Sequence, residues 1–273
     1  MTQHSFDTPK PVELFVEIAK GTVDITATDT TETQVEVTGR DAEQTIVRED
    51  GEQISVIGPK RGGLFGGESR LDVRITVPAG SNPVVRTGSA DITVHGTVGN
   101  AKVRSGSGDV RLDVATGPLL VETGSGDIRI EAAHEALKIK SGSGDIVIGQ
   151  IDAVTSISTG SGDVRMATAH GQTVVKTGSG DLEVGDATRD VSLTTGSGDL
   201  VVSRAHRGKV SAKGASGDVR IGIPAGVPVW TDITTVTGAI RSTLSGTGQP
   251  EAGADHVEVR ARTVSGDIVL AEA

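Results

Sequence analysis

The sequence has no cysteine and no tyrosine, and only one tryptophan and three phenylalanines among its 273 residues. Lacking cysteine, it can form neither disulfides nor thiolate metal sites. With so few rings, the interior must be filled by Val, Ile, Leu, Ala and Thr, which suits thin stacked layers better than a deep globular centre. Positive charge is also scarce. With 26 Lys and Arg against 36 Asp and Glu, the formal net charge is -10, so a phosphate backbone would meet no basic face and nucleic acid is not an expected partner. No apolar run approaches the ~18 residues of a membrane span. Residues 1–20 lack the charged start and following apolar stretch of an export signal. A cytoplasmic location is therefore expected.

Glycine, by contrast, is abundant: 38 residues, about twice the usual share. Much of it lies in one motif, Gly124-Ser125-Gly126-Asp127-Ile128-Arg129-Ile130, which recurs at a fixed interval. Asp91, Asp109, Asp127, Asp145, Asp163, Asp181 and Asp199 are spaced 18 residues apart, and Asp218 follows after 19. A short fixed period marks a solenoid, in which each coil buries its apolar face against its neighbours. One step after the aspartates stand Ile92, Val110, Ile128, Ile146, Val164, Leu182, Leu200 and Val219. Six steps before them stand Val85, Val103, Val121, Ile139, Ile157, Val175, Leu193 and Ala212. Apolar columns on both sides of a bend predict two strands per coil with inward ladders. The expected fold is an all-β, single-stranded β-solenoid, or β-helix, taken as right-handed. Eight coils at ~4.8 Å would span roughly 38 Å.

The organisation follows from where the beat holds. Residues 1–11 are expected to be disordered. Residues 12–80 read as a strand-rich cap without the repeat, broken by a Gly-rich loop at 58–67. Residues 81–223 carry the regular coils, and 224–273 form irregular coils and a carboxyl cap. There, Val236-Thr237-Gly238-Ala239-Ile240 looks like a degraded corner, Asp267 restores the motif at the end, 245–255 reads as a loop, and Trp230 is expected to plug the cap. Exposed end strands make end-to-end self-association available to the chain.

The glycine-aspartate bend is the sharpest chemical feature. Its glycines suit a backbone conformation closed to residues with a Cβ, and its Ser and Asp can bond backbone groups left unpaired at the corner. The aspartates, stacked ~5 Å apart, would repel one another by about 0.8 kcal/mol per contact even at the dielectric of water. Two outward basic columns could screen them: Arg111, Arg129, Arg165 and Arg220 two steps after, and Arg104, Lys140, Lys176 and Lys213 five steps before. The expected role of Asp91, Asp109, Asp127, Asp145, Asp163, Asp181, Asp199, Asp218 and Asp267 is a structural corner. The basic columns are the candidate interaction surface.

Two rivals stay open. Calcium-loaded β-rolls use a Gly-rich, Asp-containing nonapeptide that fits twice into 18 residues, although here Gly and Asp are adjacent and the copy appears once per 18. A carbohydrate-active β-helix would use paired carboxylates, but a uniform row singles out no pair, and stacking platforms for sugars are few. His134, His170 and His206 share a slot in alternate coils ~10 Å apart, too far for one zinc. No catalytic residue, cofactor or metal ligand is assigned, and no enzymatic activity is expected.

The strand-rich entry VELFVEIAKGTVDITA, the segment LDVRITVPAG, the tandem TGSGDI and SGSGDV corners and the closing RARTVSGDIVLAEA resemble the bacterial β-strand-repeat family labelled "putative adhesin", a domain of unknown function. The resemblance runs from about Val12 to Ala273. It implies a β-solenoid with a link to the cell envelope or its stress responses, and it brings no catalytic residues; the repeated outward columns themselves lead us to expect a scaffold for an unknown protein or polymer partner.

Overall fold

The computed structural model describes residues 1–59, 70–244 and 256–273. The loop expected at 245–255 and most of that expected at 58–67 lie outside the described residues. The chain divides into two compact units, residues 1–136 and 137–273. Among the described residues both are all-β apart from one 3-10 turn at Ala42–Gln44. Among the described residues no helix is long and apolar enough to cross a membrane.

The first unit contains β1 (Thr2–Asp7), β2 (Glu13–Thr28), β3 (Glu32–Gly39), β4 (Ile46–Asp50), β5 (Gln53–Ile57), β6 (Arg70–Pro78), β7 (Asn82–Val98), β8 (Ala101–Ser107), β9 (Val110–Ala115), β10 (Leu119–Ser125) and β11 (Ile128–Ala133). The β8/β9 and β10/β11 pairs are successive rungs, stacked parallel with Val121 on Val103 and Ile128 on Val110. β2 and β7 each run through both arms of a rung, and they stack in parallel with Gly21 on Ala90, Thr22 on Asp91 and Val23 on Ile92. Residues 12–28, expected to lie off the beat, are thus a rung in register with the regular coils. Their corner carries Gly21 and Thr22 in place of Gly-Asp. β5 and β6 together make one rung more on the other side of β2.

That outermost rung is closed by a change of direction. β3 pairs antiparallel with β6, β1 antiparallel with β3, and β4 antiparallel with β5. Reversing the strands leaves the parallel ladder nothing to continue, which is one way to blunt a sheet edge. The amino terminus, expected to be disordered through residue 11, instead supplies β1, held from Thr2↔Val37 to Asp7↔Glu32.

The second unit contains β12 (Leu137–Ser143), β13 (Ile146–Ile151), β14 (Thr155–Ser161), β15 (Val164–Ala169), β16 (Thr173–Ser179), β17 (Leu182–Ala187), β18 (Val191–Thr194), β19 (Leu200–Ala205), β20 (Gly208–Lys213), β21 (Val219–Ile223), β22 (Val229–Thr235), β23 (Ile240–Ser242), β24 (Val257–Thr263) and β25 (Ile268–Glu272). Every pairing is parallel up to β20/β21. There the spatial order departs from the chain order, because β24/β25 stack on β20/β21, and β22/β23 stack on β24/β25 as the last rung. Asp267, at the carboxyl end of the sequence, therefore sits on Asp218.

The core is the set of ladders the spacing predicts. Ile139, Ile157, Val175, Leu193, Ala212 and Ala261 follow one another rung to rung, all buried. Each large aliphatic member contributes about 1.5–3 kcal/mol by leaving water. Trp230 does not plug the carboxyl cap. It lies on the outer face, 50% exposed, with the Arg260 guanidinium 5.5 Å from its ring. Its neighbour Val229 points inward in register with Val257, so strand alternation turns the indole outward.

Candidate functional site

The glycine-aspartate corner is where the repeat concentrates its chemistry. The glycine just before the aspartate has positive φ, for example +136° at Gly108 and +118° at Gly162. A Cβ on Gly162 would lie 2.2 Å from the Gly144 carbonyl oxygen of the rung below. The glycine two places earlier is excluded from side chains by crowding alone, since a Cβ on Gly106 would lie 2.5 Å from the Gly88 oxygen. One glycine is required by conformation and the other by close approach.

Bare backbone approaching so closely leaves corner amides to be satisfied, and the aspartates satisfy them across rungs. In the first unit the Asp109 amide donates to Asp91 Oδ1 at 3.0 Å, and the Asp127 amide to Asp109 Oδ1 at 3.1 Å. In the second, Asp163 donates to Asp145 at 3.0 Å, Asp181 to Asp163 at 3.0 Å, Asp199 to Asp181 at 2.7 Å, Asp218 to Asp199 at 2.7 Å and Asp267 to Asp218 at 2.8 Å. The last bond of the series runs from the Ala239 amide to Asp267 Oδ1, 2.9 Å. The ladder has a polarity: each of these acceptor carboxylates serves the amide of the rung stacked after it. Ala239, on the final rung, has no carboxylate to offer an amide beyond it.

A second ladder runs beside the first and was not visible as a function in the sequence. The Ser or Thr four places before the aspartate donates its hydroxyl to the carbonyl of the corner serine: Thr123 to Ser125, Ser141 to Ser143, Thr159 to Ser161, Thr177 to Ser179, Thr195 to Ser197 and Thr263 to Ser265, at 2.9–3.0 Å. The corner serine thus enters through its backbone carbonyl. The small hydroxyl residue four places ahead of every corner aspartate except Asp218, which has Gly214 there, was the signal available for it.

The basic columns divide. Arg111, Arg165 and Arg220 reach the free side of their own aspartates: Nη2 to Asp109 Oδ2 at 3.2 Å, to Asp163 Oδ2 at 2.9 Å and to Asp218 Oδ2 at 2.6 Å. Arg165 also lies 3.6 Å from Asp145, and Arg220 3.8 Å from Asp199, so each neutralises two rungs of the row. Arg129 turns from the corner to Glu131 at 2.8 Å, and Arg104 bonds Glu122 of the next rung at 2.6 Å. The column containing Lys140 continues in register through Ser158, Lys176, Thr194, Lys213 and Arg262. Its Lys residues are exposed, and they recur on alternate rungs.

The histidines stand at the far edge of their coils. His134 and His170 are exposed, while His206 joins a cluster the sequence reading missed. Arg204 grips Asp186 with two bonds of 2.6 Å, and His206 Nε2 lies 3.2 Å from the same carboxylate. The Arg204 hydrogen bond chiefly holds the Asp186 pKa at about 2, against a smaller opposing effect of burial and with help from His206.

For calcium, the donor arrangement does not fit. Asp91, Asp109, Asp145, Asp163, Asp181, Asp199, Asp218 and Asp267 each give Oδ1 to an amide, several give Oδ2 to arginine, and six to eight converging oxygens are needed. Among the described residues no group of three or more His, Asp and Glu is placed to hold a metal. A shallow cleft of about 470 Å³, lined by Gln3, His4, Ser5, Gln34, Val35, Glu36, Arg74 and Thr76, lies over the β1–β3–β6 sheet, away from the corners.

Solved structures similar to the chain include a "putative adhesin" from Bacteroides fragilis, 11% identical with a TM-score of 0.37, covering 99% of this chain and 96% of that one. A "putative cell adhesion protein" from Clostridium sporogenes is 11% identical with a TM-score of 0.26, covering 100% and 99%. A "putative lipid binding protein" from Parabacteroides distasonis is 10% identical with a TM-score of 0.34, covering 100% and 96%. No curated protein matches the chain. The Toastrack DUF4097 family matches over residues 12–185 and again over 119–271, two overlapping spans that take in nearly every rung described above, and the chain belongs to that family.

Proposed function

We propose that the protein is a non-enzymatic scaffold that offers its outward columns to an extended partner, a protein or polymer carrying repeated negative groups. The observation behind this reading is the registered column of Lys140, Lys176, Lys213 and Arg262, in which the rung stacking repeats one chemical group along a line. Lys140, Lys176 and Lys213 recur at about twice the ~4.8 Å rung spacing. A partner with matching repeats gains avidity from individually weak contacts without a deep pocket. The corner aspartates act in this reading as framework, because Oδ1 atoms of the row already accept corner amides. The link to the cell envelope and its stress responses rests on the family resemblance and not on the geometry.

The test is a charge reversal along the column. Lys176→Glu, Lys213→Glu and Arg262→Glu together should abolish capture of the partner from an extract of the native cell. The same three reversals at Arg189, Arg207 and Arg241, off the column, should leave it. Equal capture by both triple variants would refute the reading.

A further inference from the structure

Four exposed large apolar side chains lie on the last two rungs of the second unit: Trp230 at 50%, Val236 at 71%, Ile240 at 48% and Val264 at 55%. Two of them occupy a slot that is glycine in the regular coils. Gly160, Gly178 and Gly196 are followed there by Ala215, Val264 and Val236, so the corner ridge changes from bare backbone to aliphatic side chains as the ladder ends. Ile240 is an inward residue, in register with the buried Ile268, and is left half uncovered because its rung is the last. No described strand pairs with the outer edges of β22 and β23. Exposed apolar side chains along open strand edges make a docking surface by their physical character.

We propose that this edge pairs, antiparallel and about a two-fold axis, with the same edge of a second copy of the chain. Two observations select that occupant. The first is the polarity of the aspartate ladder. Corner carboxylates bond the next rung's amide, and the final rung has Ala239 in that position, so the corner amide of another parallel rung, as head-to-tail stacking would add, finds no carboxylate to accept it. Antiparallel pairing does not use that acceptor. In the first unit, antiparallel strands already close the outermost rung.

The second is how β22 matches itself. With the axis at Ile233, inward Ile233 faces its own copy and Thr231 faces Thr235. On the outer side Asp232 faces Thr234, and Trp230 faces Val236. Aromatic against β-branched, Thr against Thr, and no like charges opposed are the favourable cross-strand pairings. Asp232 also keeps its Arg262 partner, 3.4 Å away on the neighbouring rung. The resulting interface is isologous, the commonest form of homo-oligomer.

The single tryptophan reports on this directly. Sedimentation of the full chain from roughly 1 to 100 µM should show a monomer–dimer equilibrium, with Trp230 emission shifting to the blue as dimer forms. Val236→Lys, at a position already exposed in one copy, should weaken dimerisation at least tenfold, keep the far-ultraviolet circular dichroism and hold the emission at its monomer position. Thr234→Asp, which sets like charge against Asp232 of the second copy, should do the same. A wild-type chain that stays monomeric over this range, leaving the edge to a strand of some other protein, overturns the proposal. So does an open series of higher assemblies, or either variant dimerising as wild type does.

Discussion

Asp181 offers the cleanest measure of what the aspartate ladder contributes. Its Oδ1 accepts the Asp199 amide at 2.7 Å, and Glu183 stands where other coils place arginine, so no arginine partner confuses the result. In Asp181→Ala the hydrogen bond to a charged acceptor is lost, about 2 kcal/mol. The row also loses two like-charge contacts, with Asp163 and Asp199, each worth about 0.8 kcal/mol in water at ~5 Å and roughly half that in physiological salt. The net expectation is destabilisation by about 1 kcal/mol. Asp181→Asn keeps a carbonyl oxygen in place and sheds the same repulsion, so it should fall within about 0.5 kcal/mol of wild type. Because a repeat array need not unfold as one unit, amide hydrogen exchange is the sharper assay. The Asp199 amide should lose about fivefold in protection in the Ala variant and little in the Asn variant. An Asn variant as impaired as the Ala variant, or Asp199 protection unchanged in the latter, would refute the cross-rung bond as the source of stability.

Two further expectations test the corner and the edge cluster. Gly162→Ala should cost at least about 2 kcal/mol in urea denaturation, because φ is +118° and the new Cβ lies 2.2 Å from backbone oxygen. Gly51→Asn, at φ +61° with nothing within 4 Å of a Cβ, should stay within about 0.5 kcal/mol of wild type. At the Asp186 cluster the folded pKa, about 2, lies below the ordinary 3.8, so its contribution to stability is present above the ordinary value and is lost as pH falls through about 2. Arg204→Met should move the Asp186 carboxyl titration, followed by NMR, upward toward 3.8.

The parts of this structure legible in the sequence were those governed by local periodicity. An 18-residue beat with apolar columns at constant offsets specifies stacked two-arm rungs, since no other arrangement buries Val121 on Val103 and Ile128 on Val110 together. The glycines likewise announce their corner, because positive φ at Gly108 belongs to the bend itself and the crowding of Gly106 by Gly88 of the adjacent rung repeats with the 18-residue beat. The direction of the aspartate bonds was not legible, since a column of carboxylates reads the same whichever neighbour each one serves. Nor did the sequence reveal that Arg129 leaves its aspartate for Glu131 while Arg165 stays beside Asp163, because both residues have the same spacing.

Sequence alone, then, determined the rung, its corner and the all-aliphatic core, through side-chain volume and backbone freedom at positions a few residues apart. Only the tertiary structure decided the order of the outer rungs. β2 lies between β5/β6 and β7, and β24/β25 slip between β21 and the final rung, because a strand joins whichever open edge matches its register and buries its apolar face, however far away in the chain that edge was made. The antiparallel closure by β1, β3 and β4 and the uncovered apolar ridge at Val236 and Val264 follow from that order.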